Sequence, residues 1–217
     1  MNPKIPYPIP SNEVSAEIRV VNSRFIASLA PAENVEEAKA FIARIKTEFS
    51  DATHHVPVFL IGHGDSVTAH CSDDGEPSGT AGRPALAVLQ GSGLGDVVMV
   101  ITRYFGGTKL GTGGLVRAYS DSVRSVLEKV ERSARVMTDT VQVSFPYTYL
   151  ERIRRIAAAG NAVILHEDFD AEVTFIARFQ VEETPGFKSQ VINLTSGSVI
   201  PEIIDTSEVL VPWKSIK

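Results

Sequence analysis

Three carboxylates lie close together in a short polar segment of this sequence. Residues 72–84 read SDDGEPSGTAGRP, in which Asp73, Asp74 and Glu76 fall within four positions. One or two such carboxylates can bind Mg²⁺, but the segment lacks the further ligand positions of a calcium loop. The alternative is that they pair with Arg83, Arg103 or Arg117, or cap the short helix that follows. We therefore predict no metal ion and no cofactor.

A second segment follows a predicted buried strand and is rich in glycine and positive charge. Residues 102–119 read TRYFGGTKLGTGGLVRAY, with Arg103, Lys109 and Arg117 as the cations. Its five glycines are Gly106, Gly107, Gly111, Gly113 and Gly114. Glycine leaves the backbone bare and permits positive φ, and N–H groups at the start of a helix attract anions. The segment is a candidate anion-binding loop. The alternative is a tight strand–helix connection whose glycines only avoid clashes.

The glycine-rich segment matches neither common nucleotide-binding motif. Lys109 precedes Gly111, and no Gly-Lys-Ser/Thr triplet of a P-loop occurs. The dinucleotide fingerprint is broken because Val116 stands where its third glycine is required. Tyr104 or Phe105 could stack on a base if exposed, or could belong to the core.

Four histidines and the single cysteine form another group of candidate ligands. They are His54, His55, His63, His70 and Cys71, without the C-x-x-C or H-E-x-x-H spacing that is typical of zinc sites. Adjacent histidines on a strand point to opposite faces and rarely share one ion. Sequence neighbours such as His70 and Cys71 seldom have the geometry of a base and a nucleophile. A zinc site and a thiol nucleophile are both disfavoured.

Composition is that of a globular protein with one locally basic stretch. The chain has 217 residues, 43% of them hydrophobic, and a formal net charge of −5, which argues against a uniformly basic nucleic-acid binder. Residues 83–135 nevertheless carry 8 basic and 4 acidic side chains, a balance of +4. An anionic partner is expected there. A single cysteine and no apolar run long enough for a signal peptide or membrane span predict a cytoplasmic protein without a membrane partner.

Hydrophobic spacing predicts alternating strands and helices, and a two-domain α+β fold. In residues 1–136 we predict strands over 14–20 and 24–29, a helix over 35–49, a strand over 56–61, a loop over 63–82, a helix over 84–90, a strand over 96–102 buried on both faces, and a helix over 115–130. In residues 137–217 we predict strands over 140–145, 162–166, 173–179 and 198–204, with helices over 149–159 and 185–197. That β-α-β-β-α-β order is the split-βαβ, ferredoxin-like pattern.

The two loops together resemble the signature of the YigZ/IMPACT family. SDDGEPSGTAGRP is followed, about twenty residues later, by VITRYFGGTKLGTGGLVRAYSD, with SRFIA at 23–27 and DATHH at 51–55 in support. The resemblance covers nearly the whole chain and departs at Val56-Pro57-Val58 and in the 63–71 insert. It implies a first domain similar to the second domain of a small-subunit ribosomal protein, and a second similar to the last domain of elongation factor G. It also implies a link to translation, which the eukaryotic relatives regulate by competing for the activator of a starvation-response kinase.

These observations predict a non-enzymatic, translation-associated regulator that binds RNA, the ribosome or a translation-linked protein through the basic glycine-rich loop. The predicted binding residues are Asp73, Asp74, Glu76, Arg83, Arg103, Tyr104, Gly106, Gly107, Lys109, Gly111, Gly113, Gly114 and Arg117. Arginine and lysine would contact phosphate, and the acids would orient those cations. An enzyme or sensor for a nucleotide or another phosphorylated small molecule remains an alternative, as does a protein-interaction module that has no anion site.

Overall fold

The structure is a computed structural model and describes residues 6–64 and 66–213. The chain forms two compact units. The first unit runs up to Ala134 and resumes at Val211, and the second runs from Arg135 to Leu210. This division differs from the predicted boundary at residues 136 and 137 mainly at the end of the chain, where the segment from Val211 belongs to the first unit.

The described residues contain ten strands and five α-helices. The first unit contains β1 (Ile9–Pro10), β2 (Val14–Val20), β3 (Ser23–Pro31), α1 (Val35–Glu48), β4 (His54–His63), β5 (Ser66–Cys71), α2 (Gly82–Gly91), β6 (Val97–Tyr104) and α3 (Gly111–Leu127). The chain continues through β7 (Arg132–Phe145), a 3₁₀ turn (Tyr147–Tyr149), α4 (Leu150–Ala159), β8 (Val163–Phe169), β9 (Val173–Gln180), α5 (Thr184–Leu194) and β10 (Glu202–Pro212).

The first unit is built on a five-stranded sheet in the order β2-β3-β6-β4-β5. Its neighbouring strands are all antiparallel. The central strand β6 is buried from Val97 to Arg103, which confirms the prediction of a strand buried on both faces. One face of the sheet packs on α2 and α3, and the other packs on α1 through Ala38, Phe41 and Ile45.

Helix α1 shows how local sequence specifies an element here. The side-chain oxygen of Asn34 accepts a hydrogen bond from the N–H of Glu37 at 2.8 Å, and the Glu37 carboxylate accepts one from the N–H of Glu33 at 2.8 Å. This reciprocal arrangement satisfies N–H groups at and just before the helix start that have no partner within the helix. The buried residues Ala38, Phe41 and Ile45 follow at helical spacing.

Four predicted segments differ most from the structure, and the first is β7, which begins at Arg132 rather than at residue 140. Residues 63–82 were expected to be loop, but they contain β5, a short edge strand whose sequence SVTAHC alternates polar and apolar residues and whose side chains are nearly all exposed. Helix α3 begins at Gly111 rather than near residue 115, so the glycine-rich loop is shorter than predicted. The last strand spans Glu202–Pro212 rather than 198–204.

The second unit has its own sheet and core. Strand β9 lies between β8 and β7, and β10 pairs with β7. The core packs Val143 and Phe175 of the sheet against Ile153 of α4 and Phe187 of α5. Strand β8 pairs only with β9 among the described strands, and nearly all of its side chains are exposed.

Candidate functional site

The two signature loops meet in the interior of the first unit through one carboxylate. Glu76 Oε1 accepts a hydrogen bond from Arg103 Nη1 at 2.6 Å and another from the Tyr119 hydroxyl at 2.7 Å. Glu76 is 8% exposed, Arg103 is 4% exposed and Tyr119 is fully buried. The three side chains form a buried, charge-assisted network, in which each partner would be costly to bury alone.

The sheet places Arg103 at the centre of this network. On β6 it lies opposite Phe25 of β3 on one side and His54 of β4 on the other. Its guanidinium carbon lies 5.3 Å from the ring centre of Phe25 and 5.5 Å from that of Phe105, within the range of cation–π contact. Arg103 Nη2 donates to Ser23 Oγ at 3.3 Å. Arg103 is therefore enclosed on several sides.

Tyr119 reaches the carboxylate from α3. Burial, followed by the hydrogen bond to Glu76, raises the pKa of its phenol far above the ordinary value. The hydroxyl is thus held as a donor at all physiological pH values. Its ring packs edge-on against Phe25, with ring centres 5.3 Å apart. Tyr119 consequently joins the core to the charged network.

Asp73 organises the segment that leads into α2. Its carboxylate accepts hydrogen bonds from the backbone N–H groups of Gly79 at 2.8 Å, Ala81 at 3.1 Å and Gly82 at 2.8 Å. Burial raises the pKa of Asp73, but the three N–H donors and the nearby Arg83 outweigh that effect and lower its pKa below the ordinary value. Asp73 acts as a remote N-cap, because α2 has no capping side chain at Ala81 itself.

Asp74 ties the same segment to β4 and α1. Its carboxylate accepts hydrogen bonds from the backbone N–H of His55 at 2.7 Å and from Lys46 Nζ at 3.1 Å. Its carbonyl oxygen accepts one from His54 Nδ1 at 2.8 Å. All three predicted acids therefore hold the fold together at this point. The described residues contain no cluster of three or more histidine, cysteine or acidic side chains suited to a metal ion.

Arg103 does not lie where a phosphate could reach it. The prediction placed it on the loop surface, but strand alternation directs its side chain into the interior, where Glu76 neutralises it. Tyr104 is also engaged: its hydroxyl donates to Asp51 at 2.8 Å, and Arg24 lies over its ring at 5.4 Å. The sequence pattern grouped Arg103 and Tyr104 with the cations of the loop and did not distinguish buried residues from exposed ones.

The remaining cations of the predicted site are exposed. Lys109, Arg117 and Arg83 lie at the surface, and none of them makes an ion pair or hydrogen bond with the described residues. Phe105, the first residue after β6, is 46% exposed. We call the segment from Phe105 to Arg117, which comprises the loop before α3 and the first turns of that helix, the basic loop.

The five glycines of the basic loop serve different purposes. A Cβ at Gly106 would collide with the backbone of Asn22, so this glycine is required for close packing. Gly107 and Gly111 have φ values of 81° and 71°, which favour glycine, and both face open space. Gly113 and Gly114 lie in the first turn of α3, where a Cβ at Gly113 would meet nothing within 4 Å.

Cys71 gives no support to a thiol nucleophile. It is half-buried on β5, and burial, followed by the charge of Asp73, raises the pKa of its thiol despite the opposing effect of Arg83. A raised pKa reduces the thiolate population that nucleophilic chemistry requires.

The sequence analysis did not single out two residues that contact Arg103 or Glu76. It places Tyr119 only within the helix predicted over 115–130, and Ser23 only within SRFIA. Ser23 Oγ accepts hydrogen bonds from Arg103 Nη2 and from the backbone N–H of Gly106, each at 3.3 Å. The signal that could have found Tyr119 is its hydroxyl on the buried face of α3, because a buried tyrosine hydroxyl usually has a hydrogen-bond partner.

The structure and its signature loops define a two-unit α+β protein in which one buried carboxylate joins both loops. Residues 21–127 match the Impact N-terminal domain, and residues 143–198 match a domain of unknown function, DUF1949. The chain belongs to the IMPACT family. It is 36% identical to an IMPACT family member of Haemophilus influenzae, over 93% of this chain and 98% of the relative.

Further relatives extend this similarity. The chain is 38% identical to IMPACT family member YvyE of Bacillus subtilis over 83% of both chains. It is 32% identical to Protein IMPACT of Bos taurus over 41% of this chain and 29% of that protein. A crystal structure described as that of a hypothetical protein aligns with a TM-score of 0.60 and 34% identity, covering 92% of this chain and 98% of its own. No helix among the described residues is long and apolar enough to cross a membrane.

Proposed function

We propose that this chain is a non-enzymatic, translation-associated regulator that contacts RNA, free or within the ribosome, through the basic loop. The observation that carries the proposal is the contrast between the two kinds of cation in the signature. Arg103 is buried and neutralised by Glu76, whereas Lys109 and Arg117 are exposed. The buried cation holds the loop, and the exposed cations are available to phosphate.

The link to translation rests on membership of the IMPACT family, whose eukaryotic members are implied to regulate translation. The proposed similarity of the units to a ribosomal-protein domain and to the last domain of elongation factor G points to the same partners, by analogy of fold. The element order of the second unit, with β10 and β9 both pairing with β7, supports its assignment as ferredoxin-like.

A rigid base beneath the basic loop supports binding without a large ordering cost. Phe105 donates its backbone N–H to Thr53 Oγ1 at 3.1 Å, and Gly106 donates its own to Ser23 Oγ. The loop start is therefore anchored to the first unit on two sides. Preorganisation of this kind reduces the entropy lost on binding. The exposed ring of Phe105 adds a surface on which a base could stack.

The test compares two charge-matched double variants by fluorescence anisotropy with a labelled single-stranded RNA. K109A/R117A removes two cations from the basic loop, and R152A/R155A removes two exposed cations from α4 as the control. We expect only K109A/R117A to weaken binding. We also expect it to reduce the magnitude of the slope of log K against log salt by about 1.4, since two phosphate contacts are lost.

Two results would contradict this proposal. Equal weakening by both double variants would mean that only overall charge matters. If a mononucleotide at a concentration equal to that of the protein displaces the RNA, a nucleotide sensor that uses the same residues would be favoured. Enzymatic turnover of that nucleotide would then replace the regulatory assignment.

A further inference from the structure

A groove in the second unit combines a buried carboxylate, a nearby lysine and apolar walls. It has a volume of about 500 Å³, which is within the range of small-molecule sites. Its lining includes Asp139 of β7, Lys188 of α5, and the apolar side chains of Val181, Ile192 and Ile203. All of these residues lie within 135–210, so the groove belongs to one unit.

Asp139 occupies a position where the sequence pattern calls for an apolar residue. On β7 the side chains of Val141, Val143 and Phe145 enter the core at every second position, and Asp139 continues that row. Asp139 is 4% exposed. A carboxylate on the core side of a strand is costly unless its charge is compensated. The position therefore requires an explanation beyond packing.

The compensation that the chain supplies to Asp139 is incomplete. Its Oδ1 accepts a hydrogen bond from Thr206 Oγ1 at 2.6 Å. Its Oδ2 has no hydrogen-bond donor, and the side chain has no ion-pair partner, among the described residues. This oxygen is not fully buried, so a ligand in the groove can reach it. A neutral hydroxyl satisfies one oxygen and leaves the charge unbalanced. A cation entering the groove would complete the site.

Lys188 provides the opposite charge in the same groove. It is half-buried on α5 and forms no ion pair with Asp139 or with any other described residue. Its flexible side chain can adjust to the position of an anion, whereas the carboxylate of Asp139 is held in place by β7 and by the hydrogen bond from Thr206. The groove thus presents one fixed anion and one adjustable cation beside an apolar wall.

We propose that this groove binds a free apolar α-amino acid. The ammonium group of the ligand meets Asp139 Oδ2, its carboxylate meets Lys188, and its side chain packs on Val181, Ile192 and Ile203. A zwitterion fits better than a simple amine or acid because it satisfies both charges at once. This site lies apart from the basic loop, and its test requires no RNA, so its failure leaves the proposed function unaffected.

The test is isothermal titration calorimetry of the full chain with leucine, isoleucine, valine, methionine and phenylalanine. Three further compounds each lack one group of leucine and so test one contact each. 3-Methylbutylamine lacks the carboxylate, 4-methylpentanoate lacks the ammonium group, and glycine lacks the side chain. We expect at least one apolar amino acid to bind, with the amine weaker and with glycine and 4-methylpentanoate each weaker by about tenfold or more.

Variants identify the residues responsible. We expect D139N, which keeps the shape and the acceptor for Thr206, to weaken binding by about tenfold or more, and K188Q to weaken it severalfold. D168N removes an exposed carboxylate of β8 in the same unit and should leave the affinity unchanged. I203N alters the exposed end of the apolar wall without touching the core and should also weaken binding.

Three outcomes would overturn the inference. They are no binding by any of the five apolar amino acids at millimolar concentration, equal affinity for glycine, and full affinity in D139N. If D139N does not fold, the comparison of 3-methylbutylamine with 4-methylpentanoate and the I203N variant decide the matter. The acid binding as tightly as the amine would then exclude a role for Asp139.

Discussion

Glu76 and Arg103 lie 27 positions apart and form an ion pair of 2.6 Å that is almost entirely excluded from water. Each residue belongs to a different one of the two signature segments, so this one contact joins both. Removing either partner leaves a buried charge without compensation, which is more damaging than the loss of the contact alone.

The first prediction concerns this pair. R103M should lower the free energy of unfolding by about 3–5 kcal/mol, because Glu76 is left charged in the interior. R103M/E76Q should be less damaging than the sum of the two single changes, as expected for directly coupled residues. Urea unfolding of the four proteins measures this coupling. A loss in R103M below about 1 kcal/mol would mean that the pair is less buried than the structure indicates.

The second prediction concerns Tyr119 at alkaline pH. Y119F removes a hydrogen bond to a charged group and should cost about 1.5–3 kcal/mol at pH 8. Because the folded-state pKa of Tyr119 lies far above its ordinary value of 10.0, the unfolded chain releases this proton first as pH rises. The free energy of unfolding of the wild type should therefore fall above about pH 10, whereas Y119F has no hydroxyl at this position to ionise. The gap in unfolding free energy between the two proteins should narrow there, and a constant gap would contradict the burial of this hydroxyl.

The third prediction concerns Asp73 at acidic pH. Its folded-state pKa is below the ordinary value of 3.8, so its contribution is present above that pH and is lost as pH falls through the folded pKa. D73N should cost about 1–2 kcal/mol at pH 7 through loss of the charged cap. The difference between wild type and D73N should shrink below about pH 4.

An exposed pair supplies the control for that measurement. Asp121 accepts a hydrogen bond from Arg124 at 2.6 Å on the surface of α3. D121N should change stability by at most about 0.5 kcal/mol at either pH, as is typical of solvent-exposed ion pairs. An equal effect of D121N and D73N would indicate a general charge effect rather than the cap.

The fourth prediction separates two glycines that look equivalent in the sequence. G106A should destabilise the protein, because the added methyl group would collide with the backbone of Asn22. G113A should raise the free energy of unfolding by about 0.5–1 kcal/mol, because Gly113 lies in α3 with free space around it. Thermal unfolding of both variants measures the difference, and the opposite order would show that the loop packs differently.

Much of the fold follows from hydrophobic spacing. The periods of α1 and β6 predicted both elements, because each buries a regular pattern against its neighbours. Strand β5 was not predicted because its short alternation of Val67, Ala69 and Cys71 lies within a polar segment rich in glycine, serine and aspartate. Its identity depends on hydrogen bonds to β4, which are not encoded in local hydrophobicity.

The candidate site was predictable in composition but not in arrangement. Spacing brought Arg103, Lys109 and Arg117 together as one set of cations. The exposure of Arg103 depends on the alternation of side chains along β6, and that of Arg117 depends on which face of α3 it occupies. The sequence did not show that α3 begins at Gly111, because glycine has a low helix propensity.

The return of the chain to the first unit after Leu210 makes the second unit an insertion within the first. Placing Val211 in the first unit closes a loop over residues 135–210. For a flexible chain, closing a loop of this length costs roughly 4 kcal/mol in entropy. Folding of the second unit brings its ends together, since Thr138 donates to the carbonyl of Ser207 at 3.0 Å. That cost is then already met when the final segment docks. Chain connectivity therefore couples the stabilities of the two units, and unfolding of the second unit should loosen the end of β10 at Val211 and Pro212.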